Sequence, residues 1–195
     1  MDIEFEVKFI NVDFKFLRQQ LKKAGARRTH KMRIMRRAII DTPELKKNNA
    51  FIRVRDEGDK VTLTYKQFNK LSIDGARECE VNVSDFQSTI NLLKLIGLPY
   101  RSFQESKRES WLLDGAEIVL DEWPWLNPYI EIEGDGEAHV RNISEILGFR
   151  WSDAIFGDIM SVYRIQYPSL KEDDLIGNIP EVRFGDPPPK MLSLD

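Results

Sequence analysis

Residues 2–9 alternate strictly: Ile3, Phe5, Val7 and Phe9 are apolar, and Glu4, Glu6 and Lys8 between them are charged. A period of two predicts a strand with one apolar face. Asn11 or Asp13 can cap a following helix, whose apolar stripe is Phe14, Leu17, Leu21 and Ala24 and whose end is Gly25. Residues 27–41 are dense in Arg and Lys and read as extended. Residues 50–56 and 60–67 read as two strands joined by Glu57-Gly58-Asp59, and 76–83 as a further strand. Ser84 is the expected cap of a helix carrying Phe86, Ile90, Leu93 and Ile96, closed by Gly97. Residues 101–113 and 116–122 form a pair turned by Asp114-Gly115, followed by a strand at 129–133, a helix near 136–147 and a short helical piece opened by Ser152-Asp153.

This order predicts an α+β domain over 1–167, built on an antiparallel sheet of eight strands. Residues 168–195, with Pro168, Pro180 and Pro187-Pro188-Pro189, read as a partly disordered tail without a core of its own.

The polar faces of these strands carry unusual chemistry. Arg53 and Arg55 share a face opposite Ile52 and Val54, and Thr62, Thr64 and Lys66 oppose Val61, Leu63 and Tyr65. Glu78 and Glu80 oppose Cys79 and Val81, which places Cys79 among core residues; Asp121 opposes Ile118 and Leu120, and Glu131 and Glu133 oppose Ile130 and Ile132. A half-buried sheet with a solvated face explains alternation alone. It does not explain carboxylates and guanidinium groups in Glu-x-Glu and Arg-x-Arg pairs. Eight strands can close a barrel; with the apolar faces outward under helices, the charged faces would line a tunnel.

Crowded carboxylates facing inward need cations, because an unpaired buried ion costs several kcal/mol (roughly) even after relaxation. Oxygen ligands of this kind suit Mg2+ or Mn2+. The inward bases need an anion with several oxygens. A polyphosphate bridged to the carboxylates by metal answers both demands, and Glu4-x-Glu6-x-Lys8 places two metal ligands and one phosphate ligand on one strand face.

The ordered set resembles the CYTH superfamily, the triphosphate tunnel metalloenzymes. Glu4-Phe5-Glu6-Val7-Lys8 is similar to its ExExK signature. Arg53 and Arg55 resemble its basic pair, Lys66 its lysine on the fourth strand, Glu78 and Glu80 its central acidic pair, Arg108 its later arginine, and Glu131-Ile132-Glu133 its closing Glu-x-Glu. The resemblance spans about residues 3–165. Two places depart: Ser106 stands where the family often has a lysine, with Lys107 out of phase, and Leu126-Asn127-Pro128 stands where it often has Leu-Gly before its last strand.

The resemblance implies a closed eight-stranded antiparallel β-barrel tunnel with a charged interior and helices outside. It implies hydrolysis of inorganic, thiamine or nucleoside triphosphate, or cyclisation of ATP to cyclic AMP. It makes Glu4, Glu6, Asp121, Glu131 and Glu133 metal ligands for Mg2+ or Mn2+. Lys8, Arg53, Arg55, Lys66 and Arg108 become triphosphate ligands, and Glu78, Glu80 and Lys8 catalytic groups; Arg37, from the basic stretch of residues 27–41, is a further candidate phosphate ligand.

Composition narrows the alternatives. The net charge is −3, with 29 basic and 32 acidic residues, so the surface as a whole is no polyanion-coating one. The cluster Arg27, Arg28, His30, Lys31, Arg33, Arg36 and Arg37 lacks the interleaved aromatics of a nucleic-acid surface, and which of Arg33, Arg36 and Arg37 face the tunnel stays open. Trp123, Trp125 and Tyr129 read as seating a loop, with stacking on a substrate ring as the alternative. A single cysteine, the absence of a basic-then-apolar leader and the lack of a 20-residue apolar run (approximately the length of a span) predict a cytoplasmic protein without membrane contact. The expected partner is a small-molecule triphosphate; a homodimer is compatible with the sequence. Three functions remain open: hydrolysis, cyclisation, and a tunnel that binds polyphosphate or RNA ends without turnover.

Overall fold

The computed structural model describes residues 1–192; the end of the expected tail, residues 193–195, lies outside it. The strands are β1 (Asp2–Ile10), β2 (Arg27–Ile40), β3 (Ala50–Asp56), β4 (Val61–Phe68), β5 (Ala76–Val83), β6 (Ser102–Leu113), β7 (Ala116–Glu122), β8 (Tyr129–Gly134) and β9 (Glu181–Val182). The helices are α1 (Phe14–Lys23), α2 (Pro43–Lys47), α3 (Phe86–Leu95), α4 (Glu137–Ile146) and α5 (Ile159–Gln166). Strands pair in the order β2-β3-β4-β5-β1-β8-β7-β6, and β6 returns to β2, closing an eight-stranded ring in which every neighbouring pair is antiparallel. The fold is α+β, with the five helices outside the ring.

Alternation decides what faces where. Outward-facing Val7, Phe9, Ile118, Leu120, Ile130 and Ile132 form one core with Leu17 and Leu21 of α1 and Val140 and Ile143 of α4. Ala38, Ile40 and Val54 pack under Ile90 and Leu93 of α3. Asp13 caps α1, its carboxylate accepting from the Lys15 and Phe16 amides. Asp85, not Ser84, caps α3, accepting from the Ser88 amide at 2.6 Å. Asp114 and Gly115 both have positive φ (49° and 89°), the geometry of a two-residue hairpin turn between right-twisted strands.

Cys79 is not in the core. Although it alternates as expected, it is exposed on the outer face of β5; the apolar cluster under α3 takes residues from β2, β3 and β4 but none from β5.

The ring is uneven at β1. Asp2 to Glu4 pair with β5, but Phe5 to Ile10 pair with β8 alone. The vacated edge is filled by later chain: the Lys8 amide donates to Ile155 O (2.9 Å), and the Ile155 amide donates to Lys8 O (3.0 Å). That contact delivers Gly157 and Asp158 to the tunnel wall and starts α5. The segment after Tyr167 lies against the same end of the barrel. Ile176 and Leu192 are buried with Trp123, Tyr129, Met160 and Tyr163, and β9 pairs parallel with the part of β6 that β7 does not cover. Among the described residues no helix is long and apolar enough to cross a membrane.

Candidate active site

The ring encloses a cavity of about 730 Å³ lined by Glu4, Glu6, Lys8, Arg37, Arg53, Arg55, Lys66, Glu78, Glu80, Arg108, Glu131 and Glu133, so the inward faces of β1, β2, β3, β4, β5, β6 and β8 converge on one space. Among the three arginines of β2 left open, Arg37 is inward and 6% exposed. Arg36 is exposed and lies 3.9 Å from Asp56, and Arg33 pairs with Glu57 and Asp59 at the β3–β4 turn.

Carboxylates and bases are not mixed evenly. Lys66 Nζ stands among three carboxylates: 2.6 Å from Glu4 Oε2, 3.8 Å from Glu6 Oε2 and 3.7 Å from Glu78 Oε2. The contact to Glu4 is an ion contact off the line of a directed hydrogen bond, and that buried oxygen has no other donor. Burial raises the Glu4 carboxyl, Lys66 opposes the rise, Glu6 and Glu78 add to it, and it settles at about 7. Glu133, more open to solvent, is pushed the same way by burial, Glu4 and Glu6.

The opposite drift occurs at the bases. Burial, then repulsion from Arg53, Arg55 and Arg108, brings the Arg37 guanidinium down to about 9. Burial with Arg53 and Arg108 brings Arg55 down to about 10, although Glu57 and Glu80 pull the other way. The Nε donors of Arg37, Arg53 and Arg55 are buried without an acceptor. Arg37 lies over the Trp123 ring, 4.3 Å from its centroid, and donates to Ser106 Oγ. The small Ser106 thus leaves room for a guanidinium arriving from β2.

Between these groups the charges are balanced. Lys8 Nζ donates to Gly157 O (2.7 Å) and Glu6 Oε1 (3.2 Å) and lies 3.5 Å from Glu131 Oε1. Burial alone would lower Lys8, but Glu6 and Glu131 outweigh it and raise it. Burial would raise Glu131, but Lys8, Arg108, Lys66 and Arg37 hold it down to about 2. Glu80 accepts from Thr64 Oγ1 at 2.7 Å and lies 3.6 Å from Arg53 and 3.7 Å from Arg55. Burial works against its ionised form, but Thr64, Arg55 and Arg53 lower it overall.

Asp121 stands apart from the other expected ligands. It does not line the cavity; its side chain is fully buried, held by Arg108 Nε (2.8 Å) and Nη2 and approached by Tyr129 Oη (3.3 Å). It braces Arg108, which also donates to Glu131 Oε2 at 2.9 Å. Asp158 was not foreseen. It lines the cavity, caps α5 by accepting from the Met160 amide (3.0 Å), and is raised by burial against the pull of Lys8. Its sequence signal is an Asp before Ile159, Met160, Val162 and Tyr163.

Among the described residues no three metal-binding side chains are gathered tightly enough to enclose an ion. The donor chemistry nevertheless fits a hard divalent cation: Glu4, Glu6, Glu131 and Glu133 offer carboxylate oxygens to one cavity, and burial first, then neighbouring carboxylates, raise Glu4 and Glu133.

Comparison with known proteins agrees with this geometry. The CYTH domain profile matches residues 2–150, and the chain belongs to that family. A protein from Pyrococcus horikoshii OT3 has a similar fold, with a TM-score of 0.69, 20% identity, and coverage of 82% of this chain and 99% of that chain. An adenylyl cyclase candidate from Hippeastrum, described as having a dominant triphosphatase activity, aligns with a TM-score of 0.54, 16% identity, and coverage of 85% and 96%. A Vibrio parahaemolyticus protein provisionally described as an adenylate cyclase aligns with a TM-score of 0.71, 12% identity, and coverage of 83% and 97%. At these identities the likeness is one of fold. No curated protein matches the sequence.

Proposed function

We propose that this protein hydrolyses a phosphoanhydride bond of a triphosphate inside the tunnel, with Mg2+ or Mn2+ as cofactor. The observation that carries the reading is the packing of like charges: Glu4, Glu6 and Glu78 crowd about the Lys66 ammonium, while Arg37, Arg53 and Arg55 line the same cavity with buried Nε donors that meet no acceptor. The carboxylates call for a further cation and the guanidinium groups for an anion. A metal-bound triphosphate supplies both.

Glu4, Glu6, Glu131 and Glu133 would hold the metal, which when bound neutralises phosphate oxygens and polarises the phosphorus. Arg37, Arg53, Arg55, Lys66 and Arg108 bind phosphate oxygens and offset charge on the transferred phosphoryl group. Lys8, locked by Gly157 and Glu6, presents a fixed ammonium to the same oxygens. Glu80, kept ionised by Thr64, Arg55 and Arg53, accepts a proton from the attacking water, and Glu78 beside it orients that water. Water oxygen bonds to the terminal phosphorus as the bridging P–O bond breaks; the bridging oxygen leaves with the remaining diphosphate portion, and orthophosphate is released. Asp121 is reassigned from ligand to positioning residue, because Arg108 occupies both of its oxygens.

The same tunnel accommodates cyclisation, in which a ribose hydroxyl replaces water as nucleophile. Incubation with inorganic triphosphate, thiamine triphosphate and ATP, each with Mg2+ or Mn2+, separates the readings. Orthophosphate is the expected product. Cyclic AMP with pyrophosphate would establish the cyclase instead, and tight binding without turnover would leave a binding module.

A further inference from the structure

The turn between β3 and β4 hides a carboxylate. Glu57 opens that turn, yet it is 6% exposed, and it does not line the cavity. Its amide donates to Lys60 O at 2.9 Å, and the next amide, of Gly58, donates to Asp56 Oδ1 at 2.8 Å. The backbone of Glu57 is thus fixed on both sides. Its side-chain oxygens are spent on cations. Oε1 lies 2.7 Å from Arg55 Nη2 and 3.7 Å from Lys60 Nζ, and Oε2 accepts from Arg33 Nη2 at 3.3 Å. Arg33 is held in turn by Asp59, whose other oxygen meets His30 Nε2 at 3.0 Å. Of these groups only Arg55 and Lys60 line the cavity.

Arg55 needs such a tie. It shares the cavity with Arg37, Arg53 and Arg108, and guanidinium groups crowded into a buried space push one another apart. Among the described residues the other carboxylate paired with it is Glu80, at 3.7 Å, which also lies 3.6 Å from Arg53. Arg55 is therefore divided between two anions, one in the cavity lining and one behind it. With the Glu57 charge removed, one carboxylate is left, and the guanidinium closes on Glu80 because a buried charge without a partner is costly. That contact withdraws a phosphate donor. It also covers the carboxylate assigned to receive the proton of the attacking water.

We propose that Glu57 is a positioning residue that holds Arg55 at the phosphates and off Glu80, acting from outside the cavity through that one guanidinium. Arg33 and the closed turn serve to keep the Glu57 carboxylate in place. This inference rests on the tunnel being a triphosphate site.

A double-mutant cycle tests it, with binding of non-hydrolysable inorganic imidotriphosphate in the presence of Mg2+ read by calorimetry. Glu57→Gln keeps the shape of the side chain and should weaken binding about fivefold. In an Arg55→Ala background the same substitution should change binding by less than about twofold, because its effect passes through Arg55. A residue that only stabilises the turn loses the same amount in both backgrounds. Glu57→Asp keeps the charge for Arg33 and Lys60 but ends one methylene short of Arg55. It should show the same coupling in smaller measure, and it carries the test if a melt shows Glu57→Gln unfolded. Asp59→Asn touches Arg33 and His30 but not Arg55, and should bind within about twofold of the wild type. Unchanged or tighter binding in Glu57→Gln, an equal loss in both backgrounds, or the same loss from Asp59→Asn overturns the role and leaves the triphosphate site standing. A wild type that binds no imidotriphosphate overturns both.

Discussion

Glu4 carries a consequence for stability that can be worked through in sign. Its carboxyl moves from an ordinary value of 4.5 to about 7 in the folded protein. Between those values the folded state holds a proton that the unfolded chain has released, so its contribution is fully present below 4.5 and is lost as pH rises through about 7. A divalent cation competes with that proton. Adding Mg2+ or Mn2+ at about pH 6 should release protons into a weak buffer and raise the melting temperature; neither effect appearing would contradict the metal assignment. Glu4→Gln or Glu6→Gln should lower kcat at least a hundredfold (roughly the cost of losing a charged transition-state partner), Glu4→Gln without lowering Tm and Glu6→Gln with a lower Tm, since Glu6 pairs the buried Lys8. Full activity in both would remove these residues from the site. Arg53→Ala should raise KM by about tenfold or more, as the loss of a charge-assisted contact of roughly 1.5–3 kcal/mol requires. An unchanged KM and kcat would place Arg53 outside the substrate's reach.

At the scale of elements, the structure depends on how α5 enters the wall. Gly157 has φ +98°, and a Cβ there would stand 2.7 Å from Leu71 Cδ2 and 2.8 Å from Ser161 Oγ. Gly157→Ala should therefore destabilise by about 1–3 kcal/mol and shift the carbonyl that holds Lys8. Asp158→Asn keeps the cap of α5 and should melt close to the wild type, whereas Asp158→Ala should lose about 1 kcal/mol. Equal melts for the two would mean the cap contributes nothing. Most strands could be read from the sequence because one face is apolar under helices and the other charged, as with Ile130 and Ile132 against Glu131 and Glu133. The 168–192 segment could not, because its buried residues are spaced singly: Ile176, Val182 and Leu192 meet the barrel through tertiary contacts that no local period encodes. Cys79 failed for the complementary reason. Alternation assigns a residue to a face but does not say whether a helix covers that face.

On the scale of the whole molecule, the wall of the tunnel was legible wherever two charged residues shared a strand, and the balance between its groups was not. Asp121 has the parity of a ligand, and only the packed structure puts Arg108 across both of its oxygens. Arg37 and Arg36 are adjacent in sequence, and only the register with β6, Arg37 opposite Gln104 and Arg36 opposite Glu105, turns the first inward. The assembled barrel crowds Glu4, Glu6 and Glu78 about Lys66 and brings Arg37, Arg53 and Arg55 together with buried Nε donors that meet no acceptor. The central claim is that a metal and a triphosphate together join them. Phosphorus relaxation of bound imidotriphosphate, titrated with paramagnetic Mn2+, tests this directly. The account predicts strong broadening of the phosphate resonances in the wild-type complex, and its loss in the Glu4→Gln, Glu6→Gln double variant with imidotriphosphate still bound. Broadening that persists in the double variant, or none in the wild type at saturating Mn2+, would contradict it.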